Sequence, residues 1–145
     1  MLFLFLLAGV FGTDTAAEEV FVEFRVIVHA TNPVDSLPRQ DAAKMFRRQV
    51  RRWKDWPGEP RVEPVDQKVS APVRVSFTRS VHGRSLQRLQ SYWHRQIFTG
   101  RGVPPPIRDS DQEVIEFVER MTGGIGYIRA STALPDTVKE LKLEE

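Results

Sequence analysis

Residues 62–77 read Val-Glu-Pro-Val-Asp-Gln-Lys-Val-Ser-Ala-Pro-Val-Arg-Val-Ser-Phe, and the rest of the chain is organised around them. We predict a short strand over 62–66, a tight loop, and a helix that begins at Ser70. Serine is a favoured N-cap, and Pro72 falls in the first turn, where a missing N–H costs little. Such a helix start can bind an anion, because free N–H groups and the helix dipole point toward the ligand. The alternative is that Ser70 only caps its own helix.

The composition is that of an ordinary globular domain. The chain has 145 residues, of which 41% are hydrophobic and 28% charged, which fits a single domain with its own core. A net charge of +2 is too small to indicate nucleic-acid binding. The sequence has no cysteine and no P-loop, dinucleotide fingerprint or nucleophile elbow, and its three histidines lack ligand spacing. We therefore expect no enzyme activity, no metal site and no cofactor.

The N-terminus has the pattern of an export signal. Residues 2–11 form an apolar run that is too short to span a membrane, and Thr15 and Ala17 place small residues before a cleavage site. No Lys or Arg precedes the run, so a miscalled start or an N-terminal core strand remains an alternative. We expect residues 1–17 to be a signal peptide and 18–145 a single domain. The mature protein is then periplasmic or secreted, without stable membrane insertion.

Strand and helix patterns alternate along the mature chain. Strands are predicted over 20–30, 62–66 and 125–128, helices over 38–53, from Ser70, over 85–98 and from Ser110, and either a strand or a helical tail over 138–143. This alternation predicts an α/β domain with a small, largely parallel sheet flanked by helices. Trp93 and Phe98 are predicted to anchor the long helix in the core, and Gly126 to allow close approach of a neighbour. The arginine-rich surface of the 38–53 helix is either a solvated face or a contact for an acidic partner or lipid headgroups.

Several short motifs occur together in a recognisable order. They include FRVIVHATNP at 24–33, VEPVD at 62–66, IFTG at 97–100 and GIGYI at 124–128. In this order and spacing the chain resembles the phosphate-type periplasmic substrate-binding proteins of ABC transporters, in the type 2 periplasmic-binding-protein superfamily. The resemblance extends over residues 20–130 and is greatest to short, stand-alone members. It implies one lobe of a two-lobe clamshell.

The resemblance also implies where an anion would bind. The family holds phosphate with an Arg, three further residues, and then Ser-Gly-Thr. Here those positions are Asp66, Ser70, Ala71 and Pro72, so that only the serine matches. Pro72 lacks a hydroxyl and an N–H, and the charge of Asp66 would oppose an anion at short range. The candidate ligand-binding residues are Ser70, Ala71, Val73, Arg74 and Lys68.

Two functions follow from this interpretation. The first is an exported solute-binding domain for phosphate or a similar oxyanion. The second is an interaction module that kept one binding-protein lobe, lost the ligand, and binds a protein partner or a second copy of itself. Asp66 distinguishes them: a carboxylate that points away from Ser70 leaves an anion pocket, whereas one that faces Ser70 blocks it.

Overall fold

The computed structural model describes residues 20–145 as a mixed α/β domain. The expected signal peptide over 1–17 lies outside the described residues. The strands are β1 (Phe24–His29), β2 (Ser36–Pro38), β3 (Glu63–Pro64), β4 (Asp66–Gln67), β5 (Ile107–Arg108), β6 (Gly124–Arg129) and β7 (Val138–Glu144). The helices are α1 (Arg39–Phe46), α2 (Pro72–Phe77), which continues into a π-helical turn (Thr78–His82), α3 (Leu86–Phe98) and α4 (Asp111–Arg120). Within this part of the chain, no helix is long and apolar enough to cross a membrane.

The main sheet has five strands in the order β2-β7-β1-β6-β3, and β4 pairs with β5 in a separate ribbon. The predicted α/β class, with helices flanking a small sheet, is confirmed. The sheet is mixed rather than largely parallel, because β1 runs antiparallel to both of its neighbours, β6 and β7. The pairs β2–β7, β3–β6 and β4–β5 are parallel. Helix–strand alternation predicts parallel crossovers, but it does not specify that β1 pairs with strands from the far end of the sequence.

Each face of the sheet is covered by a separate apolar layer. The layer that contains α4 includes Ile27, Val114, Val118 and Ile128. The layer that contains α1 and α2 includes Val26, Phe46, Phe77 and Tyr127. In the second layer the rings of Phe77 and Tyr127 stack with their centroids 3.8 Å apart. The faces alternate along β1, as expected for a strand with period two.

Gly126 is the point of closest approach between β6 and the α4 layer. A Cβ at this position would lie 2.7 Å from Val114 Cγ1 and 2.8 Å from Val65 Cγ1. Both distances are too short for a real Cβ, so the packing requires glycine. The predicted role of Gly126 is confirmed.

Two predicted elements are shorter than expected. The helix predicted over 38–53 ends at Phe46, because the chain turns at Arg48, whose φ is 57°. This is a left-handed conformation that a helix cannot continue through. The strand predicted over 62–66 is divided at Val65, so that β3 pairs with β6 while β4 pairs with β5.

The helices predicted over 85–98 and from Ser110 are confirmed, each with a serine cap, but one predicted core residue is not buried. The hydroxyl of Ser85 accepts from Arg88 N and that of Ser110 from Glu113 N, each at 3.2 Å. Trp93 is buried on α3, whereas Phe98 is 93% exposed, so its predicted core role is wrong. Phe98 is five residues beyond Trp93, which places the two side chains on different faces of the helix.

Candidate functional site

A pocket of about 540 Å³ opens beside the start of α2. It is formed where three segments meet: the loop between β4 and α2, the start of α4, and the turn after β6. The polar residues that line it include Lys68, Ser70, Ser110, Asp111, Arg129 and Ser131. The pocket therefore combines hydroxyl groups with charges of both signs.

The structure brings three of the five predicted ligand-binding residues to this pocket. Lys68, Ser70 and Ala71 line it, whereas Val73 and Arg74 do not. The N-cap of α2 is Ala71 rather than Ser70, and no side chain caps this helix. The Ala71 N–H already donates to the Lys68 carbonyl at 3.0 Å. The Lys68 ammonium and the Ser70 hydroxyl are thus the predicted groups that remain able to contact a ligand.

Val73 and Arg74 point into the core instead. Val73 is 1% exposed and Arg74 is 5% exposed. Arg74 Nη1 donates to the Gln67 carbonyl at 2.7 Å, and its Nε lies 3.4 Å from Asp66 Oδ1 in an ion pair. The predicted role of Arg74 as a ligand-binding cation is corrected on this geometry, since the guanidinium is buried and already contacts Asp66 and the Gln67 carbonyl.

Asp66 is turned away from the pocket. Its side chain is buried, and Oδ1 accepts from the Tyr127 hydroxyl and, at 3.0 Å, from the Gln67 N–H. Burial raises the pKa of Asp66, and the charge of Arg74 and the Tyr127 hydrogen bond act in the opposite direction. Because the carboxylate faces the core, it does not oppose an anion beside Ser70.

Tyr127 acts as a permanent donor in this buried network. Burial raises the pKa of Tyr127 well above its usual value, and the adjacent Asp66 carboxylate raises it further. The phenol consequently stays protonated throughout the physiological range. The network of Asp66, Arg74 and Tyr127 fixes α2 to β4 and β6, and so positions the loop that carries Ser70.

The opposite wall of the pocket is organised by Asp111. Its Oδ1 accepts from Gln67 Nε2 at 2.7 Å, and its Oδ2 accepts from the Thr132 hydroxyl at 2.7 Å and from Arg129 N at 3.2 Å. These bonds tie α4 to the turn after β6. Sequence reasoning found the capped start of α4 but missed Arg129 and Ser131, for which the local pattern gives no signal.

The charges around the pocket are nearly balanced. Lys68 and Arg129 supply two cations, and Asp109 and Asp111 supply two carboxylates. Both oxygens of Asp111 already accept from protein donors, but its negative charge remains and opposes an anion. Among residues 20–145, no group of three potential ligands is placed to hold a metal ion.

A second buried polar contact lies near α2, at His82. Its Nδ1 is 3.1 Å from Arg47 Nη1, and its ring meets those of Phe46 and Phe77 edge-on. Burial, and after it the positive charge of Arg47, together lower the pKa of His82 to about 3. The folded protein thus holds this imidazole neutral, as an acceptor for Arg47.

We expect His82 to make the protein less stable in mild acid. The folded-state pKa is depressed, so the stabilisation is complete above the unfolded-state pKa and is lost as the pH falls. Between about pH 7.5 and pH 5 the loss is about 2 kcal/mol, given an unfolded pKa near 6.5. Urea unfolding should show this loss in the wild type and not in His82→Gln. His94→Gln, at an exposed histidine of α3, is the control; an equal change in both variants would exclude His82 as the source.

The sheet and its two helical layers share their fold with one lobe of solved phosphate-type substrate-binding proteins. One solved structure of this kind is a Clostridium perfringens protein assigned as a phosphate ABC transporter substrate-binding protein, with bound phosphate. It matches with a TM-score of 0.66 and 21% identity, over 86% of this chain and 46% of that chain. An ABC-type phosphate transport receptor from Vibrio cholerae matches with a TM-score of 0.64 and 20% identity, over 86% of this chain and 47% of that chain.

PstS from Borrelia burgdorferi shares the same fold, with a TM-score of 0.61 and 15% identity over 84% of this chain and 47% of that chain. No family model and no curated protein matches the sequence. The chain spans about half the length of the solved proteins that it matches. The resemblance inferred from the sequence is therefore confirmed as a shared fold, and these structural neighbours are transport proteins rather than enzymes.

Proposed function

We propose that the chain is an exported solute-binding domain that binds phosphate or a similar oxyanion beside Ser70. The observation that carries the proposal is the orientation of Asp66. Its carboxylate is buried against Tyr127 and Arg74, which leaves the pocket open to an anion. The likeness to a protein solved with bound phosphate supports the same conclusion.

The pocket offers donors suited to a tetrahedral oxyanion. Ser70 and Ser131 are exposed, and neither hydroxyl has a hydrogen-bond partner among the described residues. The Ser110 hydroxyl accepts from Glu113 N and keeps its own proton to donate. Lys68 and Arg129 add positive charge. Because two carboxylates balance these cations and one lobe encloses only part of a ligand, the affinity is expected to be low.

We further propose that residues 1–17 direct export and that 18–145 form the mature domain. The apolar run at the N-terminus and the small residues before position 18 support this assignment. The likeness to substrate-binding proteins of ABC transporters fits a periplasmic or secreted location.

Calorimetric titration with inorganic phosphate tests the site. We expect weak binding by the wild type, and at least tenfold weaker binding by Ser70→Ala, because a hydrogen bond to a charged ligand contributes about 1.5–3 kcal/mol. Ser91→Ala is the matched control, since Ser91 is an exposed serine on α3 outside the pocket. Binding that is equally strong in Ser70→Ala and Ser91→Ala would refute the location of the site.

The second candidate, an interaction module without a ligand, is favoured by the end of α3. Ile97 is 51% exposed and Phe98 is 93% exposed, so two consecutive large apolar side chains are open to solvent. Contiguous exposed apolar surface marks contacts with a protein partner or a second copy. A folded protein that gives no heat with phosphate at millimolar concentration would support this function over the first.

A further inference from the structure

A second pocket, of about 340 Å³, has an unusual concentration of arginine. Arg48 and Arg51 reach it from the segment after α1, Arg61 from the segment before β3, and Arg101 from the loop after α3. The one carboxylate in its lining is that of Glu63. None of these residues lines the pocket beside Ser70.

The backbone that carries three of these arginines is held in place by hydrogen bonds. Val62 N donates to the Arg51 carbonyl at 2.9 Å, and Trp53 N donates to the Pro60 carbonyl at 3.0 Å. An antiparallel bridge between residues 52 and 61 joins the same two segments. Arg48 is fixed in the turn that ends α1, where its φ is 57°. The backbone that carries Arg48, Arg51 and Arg61 is thus fixed, whereas Arg101 extends from an exposed loop.

The positive charge of this pocket is poorly compensated. None of its four arginines takes part in an ion pair found within residues 20–145. The Nε of Arg48 is buried and has no hydrogen-bond partner there. Burial lowers the pKa of Arg48, Glu63 opposes this effect, and Arg51 and Arg61 lower the pKa further by repulsion. An anion would relieve this repulsion and satisfy the buried donor.

We propose that this arginine pocket binds a small, multiply charged anion of the oligophosphate class. Guanidinium groups pair with phosphate oxygens through two parallel hydrogen bonds, and four of them match a ligand with several phosphate groups better than a single orthophosphate. The volume lies in the range of small-molecule sites. The apolar side chains of Met45, Val50 and Val62 form part of the wall.

Titration of the full mature chain with inorganic tripolyphosphate tests the proposal. We expect saturable binding that weakens with salt, as charge pairing requires. The double variant Arg48→Gln/Arg61→Gln should bind at least tenfold more weakly. The control Arg88→Gln/Arg95→Gln removes two exposed charges from α3 and should change the affinity less than twofold. Ser70→Ala should leave tripolyphosphate binding unchanged, which separates this site from the phosphate pocket.

Circular dichroism would establish that each variant is folded. If the double variant does not fold, Arg101→Gln replaces it, since Arg101 lies in an exposed loop and should still weaken binding at least threefold. Three results would overturn the proposal: no binding of tripolyphosphate, equal losses in the pocket and control variants, or loss of binding in Ser70→Ala. If the protein bound poly-glutamate but not tripolyphosphate, the proposal would also be overturned, in favour of an acidic protein partner.

Discussion

Replacing Asp66 with alanine is expected to destabilise the domain by about 3–5 kcal/mol, which is the usual cost of removing one partner of a buried ion pair. The substitution leaves the guanidinium of Arg74, 5% exposed, without its counter-charge. It also removes the acceptor of the Tyr127 hydroxyl. Urea unfolding monitored by circular dichroism would measure the change, and a loss below about 1 kcal/mol would contradict the assigned network.

A double substitution separates the charge effect from packing. Asp66→Leu together with Arg74→Met removes both charges and fills the space with apolar groups. Because an apolar replacement of a buried ion pair is often neutral or stabilising, the double variant should recover much of the stability lost in Asp66→Ala. Failure to recover would indicate that the hydrogen bonds to Gln67 and Tyr127, rather than the ion pair, stabilise this region.

Replacing Trp93 with alanine is also expected to lower the stability of the domain strongly. Trp93 is 6% exposed on α3 and packs its ring against that of Tyr92, with centroids 5.1 Å apart. Truncation of a buried tryptophan typically costs about 3–5 kcal/mol. Thermal unfolding of the variant should show a midpoint many degrees lower than that of the wild type.

Phe98→Ala is the matched control in the same helix. Its side chain is 93% exposed, so the expected change in unfolding free energy is within about 0.5 kcal/mol. If Phe98→Ala destabilised the protein as much as Trp93→Ala, the orientation of α3 in the structure would be wrong. A near-neutral result would also leave Phe98 available for contacts outside the domain.

Sequence patterns correctly predicted the elements whose ends are set by residues a few positions away in the chain. Ser85 and Ser110 begin helices because each hydroxyl accepts a bond from the N–H three residues later. Gly126 was recognisable because an isolated glycine in a buried strand often marks close packing. The end of α1 could not be predicted, since an apolar spacing that continues to Val50 and Trp53 hides the left-handed turn at Arg48.

Only the part of the candidate site that lies in one continuous stretch of sequence could be predicted. Lys68 and Ser70 lie in the strand–loop–helix pattern that indicated an anion site. Arg129 and Ser131 reach the same pocket because β6 pairs in parallel with β3, the strand before the binding loop, and no local pattern specifies this pairing. Asp66 was predicted to oppose anion binding because it directly precedes the binding loop in the sequence. It is hydrogen-bonded to Tyr127, which lies 61 residues away, so the local sequence around Asp66 could not predict this contact.

The position of β7 determines when the sheet can form. β7 lies between β1 and β2, and the Ser36 hydroxyl bonds to Glu144 across 108 residues of sequence. The strand that lies between β1 and β2 therefore becomes available only when residues 138–144 have been synthesised. Closing so long a loop costs entropy and slows folding. A chain that lacks these residues has unpaired edges on β1 and β2, and such edges favour aggregation.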